Sequence, residues 1–336
     1  MKSPPPFNVS ITGKIVQPVN KRHGDRQFEA SRIPGGRLFH YTTTPGLQGI
    51  VESNSLHASA AYFLNDSSEV EYGKSILADV LDKWELNNPE QRDDPTAELV
   101  RDLRTQICGA AGREALVQSV YVVCFCERDN LLNQWRYYGK DGGYSIGFPI
   151  DKGYIPGLAP ESPSFTTVLT RVEYERAKQV ECCEGVLNSI LPFLEDPTVT
   201  RTLHTDMALT YHGKIPVGEF IFKVAQEWLI DELLSFKDKA FEEEKEWRLI
   251  ARPRLFRLQG RDDRGKTPNK FYFRPHRGLL IPYIKLMPLS GKLPVASIRS
   301  GPSINVTKAE ASIRLMMRQH GFADIDFRGS AIPVII

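Results

Sequence analysis

Side chains capable of chemistry fall in four short clusters. His40-Tyr41-Thr42 closes an apolar run and sets an imidazole, a phenol and a hydroxyl where a purely structural strand needs none of them. Tyr62-Phe63-Leu64-Asn65-Asp66-Ser67-Ser68-Glu69 comes next. Asp66 and Glu69 fit a capping box, and Asn65, one place before the cap, is left without that explanation. Trp135 and Tyr138, with Gln134 and Tyr137 beside them, form an i, i+3 aromatic pair that suits a core as readily as a ligand platform. Glu244-Lys245-Glu246-Trp247-Arg248 carries carboxylates at i and i+2, which share one side of an extended chain. Glu246 directly precedes an apolar run and so belongs at a strand mouth. Glu242 and Glu243 read as solvated charge. A lone histidine at a strand end is more often a structural hydrogen-bonder, so no cluster decides the matter alone.

These clusters depend on the elements that hold them. A strand over 37–42 leads into a short helix capped by Thr44, with Pro45 in its first turn and Leu47, Ile50 and Val51 facing inward. An extended stretch follows, then a helix from Asp66 with Val70, Leu77, Leu81 and Trp84 at helical spacing. Further helices are expected around 97–108 and 111–117. The run 119–127 is apolar and rich in β-branched residues, hence a central buried strand. A short helix over 130–139, a Lys-Asp-Gly-Gly turn and a strand to Phe148 come next, then a strand over 165–174. Residues 176–236 read as helical in two or three pieces, broken near Asp196-Pro197 and Gly213. Strands return at 246–252, 270–274, 279–284 and 295–300, followed by a helix over 307–321 ending at Gly321 and a last strand near 331–336. Strands at both ends with helices between make an α+β fold. Residues 1–36, with Pro4-Pro5-Pro6, read as an arm. Residues 37–336 read as one domain, with a helical layer at 175–240 and a basic part at 252–336.

Several function classes lack their signatures. The chain has no Walker sequence, no GxGxxG and no GxSxG elbow. Cys124-x-Cys126 lies in the buried run with no second pair at zinc spacing, so packing accounts for it. Five cysteines without a framework spacing, an N-terminus without an apolar core and no long apolar run predict a reducing, cytoplasmic setting and no membrane span. The net charge of +2 hides a segregation. Residues 252–328 hold 16 Lys/Arg against 5 Asp/Glu, and residues 37–251 hold 21 against 34. That tail suits nucleic acid or a phosphate-bearing ligand, unless its basic strands simply pack against acidic helices.

In order and spacing the clusters resemble a bacterial family catalogued as domain of unknown function 2971. The matching pieces are His40-Tyr41-Thr42, Phe63 to Glu69, Cys124-Phe125, Trp135 with Tyr138, Gly143 to Phe148 and Glu244 to Arg248, with Ile298-Arg299-Ser300-Gly301-Pro302 near the end. That family looks distantly related to ADP-ribosyltransferases, among them DNA-targeting toxins that share a His-x-Thr strand followed by a short helix. The resemblance implies a split β-sheet core with a helical insertion and NAD as cofactor. It also implies transfer of ADP-ribose to a macromolecule, nucleic acid or protein, with a toxin or antiphage role. Carried over by position, Glu246 and then Glu244 are the catalytic carboxylates, and His40 is the first member of the triad. Tyr62 is the first choice for the middle member, with Tyr72 and Tyr138 as alternatives. His40, Tyr41, Thr42, Tyr62, Asn65, Trp135, Tyr138 and Arg248 would contact NAD. Breaking the nicotinamide–ribose bond builds oxocarbenium charge, which a fixed carboxylate stabilises. Water as acceptor would make the chain an NAD glycohydrolase. The competing expectation is a non-catalytic module that binds a nucleotide or nucleic acid. A third, phosphotransfer involving RNA, fits Glu246 poorly.

Overall fold

The computed structural model describes residues 33–64, 67–91, 94–109, 116, 119–138, 142–196, 207–210, 213–254, 270–276 and 278–333. Asn65, the Asp66 cap, most of the 111–117 helix, the Asp196-Pro197 break beyond Asp196 and residues 1–32 of the arm lie outside them. Ile33 is buried in a core cluster, so the packed body begins before residue 37.

Strand β1 (Arg37–Thr43) runs into helix α1 (Thr44–Ser53) and strand β2 (Leu56–Ala60). The cap of α1 is Thr43, whose hydroxyl accepts from the Gly46 N–H, so the helix is capped one residue earlier than expected. Thr44 instead donates to the Gly142 carbonyl. Helices α2 (Ser67–Asn87) and α3 (Pro95–Leu103) precede the central strand β3 (Tyr121–Cys126). Helix α4 (Leu132–Tyr138) and strands β4 (Gly143–Pro149), β5 (Leu158–Pro160) and β6 (Phe165–Arg171) follow. The expected helical layer holds α5 (Arg176–Glu195) and α6 (Val217–Leu233), separated by a hairpin of β7 (Met207–Thr210) and β8 (Gly213–Pro216). Strands β9 (Glu246–Pro253), β10 (Tyr272–His276), β11 (Leu279–Pro288) and β12 (Ser297–Ser300) lead to helix α7 (Val306–Gln319) and β13 (Asp326–Gly329). The last strand among the described residues is thus Asp326–Gly329; of the expected strand at 331–336 only 331–333 are described, none of them in a strand. Strand β13 pairs parallel with β12, and α7 supplies the crossover that a parallel pair needs.

The architecture is mixed α and β around one large sheet. All six residues of β3 pair with β9 on one edge. Its other edge is shared: β2 pairs at Tyr121 and Val122, and β1 pairs only at Phe39↔Cys126. Among the described residues no strand is registered there against residues 123–125, so β1 and β2 diverge and leave a gap.

Register also sorts side chains by face, because residues directly opposite each other in a ladder point the same way. Val122, Cys124, Cys126, Glu246, Arg248 and Ile250 share one face, where α2, α3, α5 and α6 build a core around Ile76, Val186, Phe220 and Leu229. Tyr121, Val123, Phe125, Trp247 and Leu249 share the other, under α1 and α7. Both faces of β3 and β9 are covered, which explains their nearly unbroken apolar character. Among the described residues no helix is long and apolar enough to cross a membrane. The five cysteines are free thiols.

Candidate functional site

The mouth of β9 is entered from a 3-10 turn, Lys239–Glu244, capped by Asp238. Lys245 then adopts a left-handed φ of 45°. This single kink brings Glu244 and Glu246 to one point. Strand alternation predicts that they share one side of an extended chain; they do converge, but Glu244 lies in the turn and the kink at Lys245 is the cause.

What they converge on is Lys237. Its Nζ lies 2.7 Å from Glu244 Oε2, 3.0 Å from Glu246 Oε2 and 2.9 Å from Glu69 Oε1. Arg248 closes the cluster. Its Nε donates to Glu246 Oε1 at 2.8 Å, and its Nη2 donates to Glu246 Oε2 at 3.2 Å and Glu69 Oε2 at 2.5 Å. Its Nη1 donates to the Leu234 carbonyl at 2.7 Å. Arg248, Glu246, Lys237 and Glu244 are all buried. Glu69 fits a capping box with Asp66, which lies outside the described residues, and its carboxylate meets Lys237 and Arg248, far along the chain. Lys237 carries no motif in the sequence; a single lysine ending the apolar run Leu233-Leu234-Ser235-Phe236 is its only mark.

Three carboxylates against two cations make an uneven electrostatic environment. Burial alone would raise Glu246, but Arg248 and then Lys237 outweigh it and hold its carboxyl down at about 2. Glu244 is raised, because its burial is offset by Lys237 alone. Burial also works against charge on Lys237, and Glu246, Glu69 and Glu244 overcome it and raise its pKa. Two neighbouring carboxyls pushed in opposite directions are the arrangement that lets one stay ionised while the other exchanges a proton. The Cys124 thiol, pushed far up by burial and by Glu246, donates to that carboxylate.

The aromatic candidates separate. Tyr138, at the end of α4, lies within electrostatic reach of Cys124 and Glu246. Tyr72 donates its hydroxyl to Gln179 on α5, and Tyr62 packs edge-on against Phe63 beside the helical core. Of the three, Tyr138 is the one the fold brings to the carboxylates. Trp135 is buried, bonded through Nε1 to Asn130 and set edge-on against Tyr41 at 4.8 Å. The Tyr41 hydroxyl donates to the Arg128 carbonyl and accepts from the Leu131 N–H, so backbone groups occupy it. Thr42 is buried under the start of α1, where a Cβ on Gly46 would stand 2.0 Å from its hydroxyl oxygen.

His40 lies elsewhere. Register puts Phe39 and Tyr41 on the Glu246 face and His40 on the opposite one, and its ring meets Phe125 edge-on at 5.8 Å. His40 Nδ1 reaches the Cys124 carbonyl at 2.9 Å, in the gap where β1 leaves β3. Burial lowers its pKa, so the ring is neutral with Nδ1 donating and Nε2 left as an acceptor. Across the gap, burial and Arg274 lower His57 to about 4.

Among the described residues of the basic C-terminal part, several cations meet carboxylates. Arg252 pairs with Glu227 and Asp231 on α6, Arg299 with Asp129, Arg314 with Glu310 and Asp324, and Arg328 with Asp326.

A family model described as protein of unknown function (DUF2971) matches residues 134–249, about a third of the chain. The match runs from α4 to β9 and takes in Trp135, Tyr138, Lys237, Glu244, Glu246 and Arg248, but not His40 or Glu69. No curated protein and no solved structure matches the chain.

Proposed function

We propose that this chain is an ADP-ribosyltransferase-like enzyme that uses NAD to modify a macromolecule. The observation that carries the reading is Glu246, a buried carboxylate ionised at any physiological pH and clamped by Arg248 and Lys237 at a strand mouth. A carboxylate held this way needs no reorganisation when positive charge develops on a ribose beside it. Glu244, with its raised pKa, is the group suited to take a proton from the attacking nucleophile. Tyr138, the alternative that lies within electrostatic reach of Glu246, takes the middle role here in place of Tyr62 and would stack on nicotinamide.

His40 and Glu246 do not share one face of the sheet, which sets a condition on the reading. A ligand that touches both Glu246 and His40 has to enter through the gap beside residues 123–125, since the two side chains leave opposite faces. His40 Nε2 then accepts a ribose hydroxyl. Arg248 is wholly engaged with Glu246, Glu69 and the Leu234 carbonyl, so its role is to position the carboxylate rather than to meet a pyrophosphate.

The test is incubation of purified protein with NAD labelled in the adenylate part, with and without cell lysate, following both nicotinamide release and the destination of the label. Release that disappears in Glu246→Gln supports the proposal. No release with any offered protein or nucleic acid sinks it, and salt-sensitive nucleic-acid binding without turnover would favour the binding module instead.

A further inference from the structure

Two stretches singled out in the sequence, Gly143 to Phe148 and Ile298 to Pro302, have no part in the carboxylate cluster. They meet at a cavity of about 320 Å³ between β1, β12 and β13. Its floor is a cross-strand row, Phe39–Gly147–Ser297–Asp326, one residue from each of four adjacent strands. Gly147 keeps this floor open: a Cβ there would stand 2.3 Å from Ser297 Oγ and 3.0 Å from the Phe39 ring. Any side chain at 147 would displace what lines the cavity.

Three guanidinium groups surround the opening. Arg37 enters from β1, Arg299 from β12 and Arg328 from β13. Arg299 is fixed in place, with Nε donating to Asp129 Oδ2 at 2.8 Å and Nη1 to the Gly329 carbonyl at 2.7 Å. Arg328 pairs with Asp326 and is largely exposed. No described carboxylate pairs with Arg37, so the lining holds three positive groups against Asp129 and Asp326. The volume is at the lower end of the roughly 300–1,000 Å³ of small-ligand sites.

We propose that this cavity is a second ligand site, one that takes a nucleotide phosphate. Forked guanidinium donors from three strands fit phosphate oxygens, and the half-buried Phe39 ring offers a face for a base. Asp129 and Asp326 are acceptors for sugar hydroxyls or exocyclic amines. The site opens on the same face as Glu246, because Phe39 faces Cys126 and Cys126 faces Glu246 across two strand spacings, about 10 Å. It stands apart from the turnover reading, since nothing in it requires NAD to be cleaved.

The test is fluorescence anisotropy on the full chain with two labelled probes, a nucleoside monophosphate and a 5′-phosphorylated single-stranded oligonucleotide, over a salt series. Both arms use Glu246→Gln protein, so a failure of turnover leaves this readout untouched. Binding that Arg37→Ala and Arg328→Ala each weaken at least fivefold, with Arg37→Lys weakened less, supports the site. If the monophosphate binds, the ligand is a free nucleotide; if only the oligonucleotide binds, it is a polymer backbone. Absence of binding for both probes, or affinity unchanged in the Arg37→Ala/Arg328→Ala double variant, overturns the proposal. Thermal midpoints within a degree or two of the parent show that the variants fold.

Discussion

Two ionic clusters lie on the same face of β9, and their difference is instructive. At the strand mouth, Glu246 and Arg248 join Lys237, Glu69 and Glu244, with groups drawn from a helix, a loop, a turn and a strand. Near the other end, Arg252 joins Glu227 and Asp231, one turn apart on α6. Both are shielded from water. In the first, two cations hold one carboxylate at about 2. In the second, burial outweighs the single cation and pushes Glu227 up to about 7. The first arrangement keeps a charge at a cost in desolvation; the second can shed its charge by taking a proton near neutrality. A strand-to-helix pin needs only the second kind. A buried anion kept ionised is what cation-stabilising chemistry needs.

Breaking each cluster tests that contrast. The largest effect is expected on turnover. If the proposed function holds, Glu246→Gln is expected to lower nicotinamide release by about 100-fold or more, whereas Arg252→Met is expected to keep most of it, as measured by product chromatography. Equal losses would erase the distinction between the clusters. Stability comes second. Lys237→Met leaves Glu244 without its cation and Glu246 and Glu69 with Arg248 alone, and denaturant unfolding is expected to show a loss of about 3–5 kcal/mol. Arg252→Met is expected to cost less, about 1–3 kcal/mol, because Glu227 neutralises itself.

The smallest effect is the slope of stability with pH. Glu227 rises from 4.5 to about 7 on folding, so between those values the folded chain holds the extra proton and stability falls as pH rises. His57 drops from 6.5 to about 4, so the unfolded chain holds the extra proton and stability rises with pH. Between pH 4.5 and 6.5 the two oppose each other. Glu227→Gln should therefore make the thermal midpoint climb more steeply with pH, and His57→Gln should flatten it. Glu246 acts lower, its contribution fading as pH falls from 4.5 toward 2. A Glu227→Gln profile that matches the parent would remove the second half of the contrast.

Much of this molecule was legible before any fold was known. Strand β3 and helices α2, α4 and α7 follow from apolar periodicity and turn residues, with ends displaced by a few residues. The site was legible in part. Glu244, Glu246 and Arg248 stand close together in the chain, so their association needed only a local guess, even though the kink at Lys245 was not foreseen. Lys237 and the ionic role of Glu69 were not legible, because their partners come from elements whose packing no local pattern encodes. His40 and Tyr41 show the same limit in reverse. Their neighbourhood to a strand end was clear, but facing depends on a register set by one pairing, Phe39↔Cys126, and a shift of one residue would exchange the two.

By itself, then, the amino-acid order determined which segments become strands and helices and which residues carry charge at a strand mouth, because propensity, capping and alternation act over a few residues. The tertiary structure alone decided that Lys237 and Glu69 clamp that charge, that His40 turns to the gap, and that Phe39, Gly147, Ser297 and Asp326 form one floor. Those outcomes depend on strand register and on packing between distant segments, where desolvation makes each buried charge seek whichever partner the fold brings near.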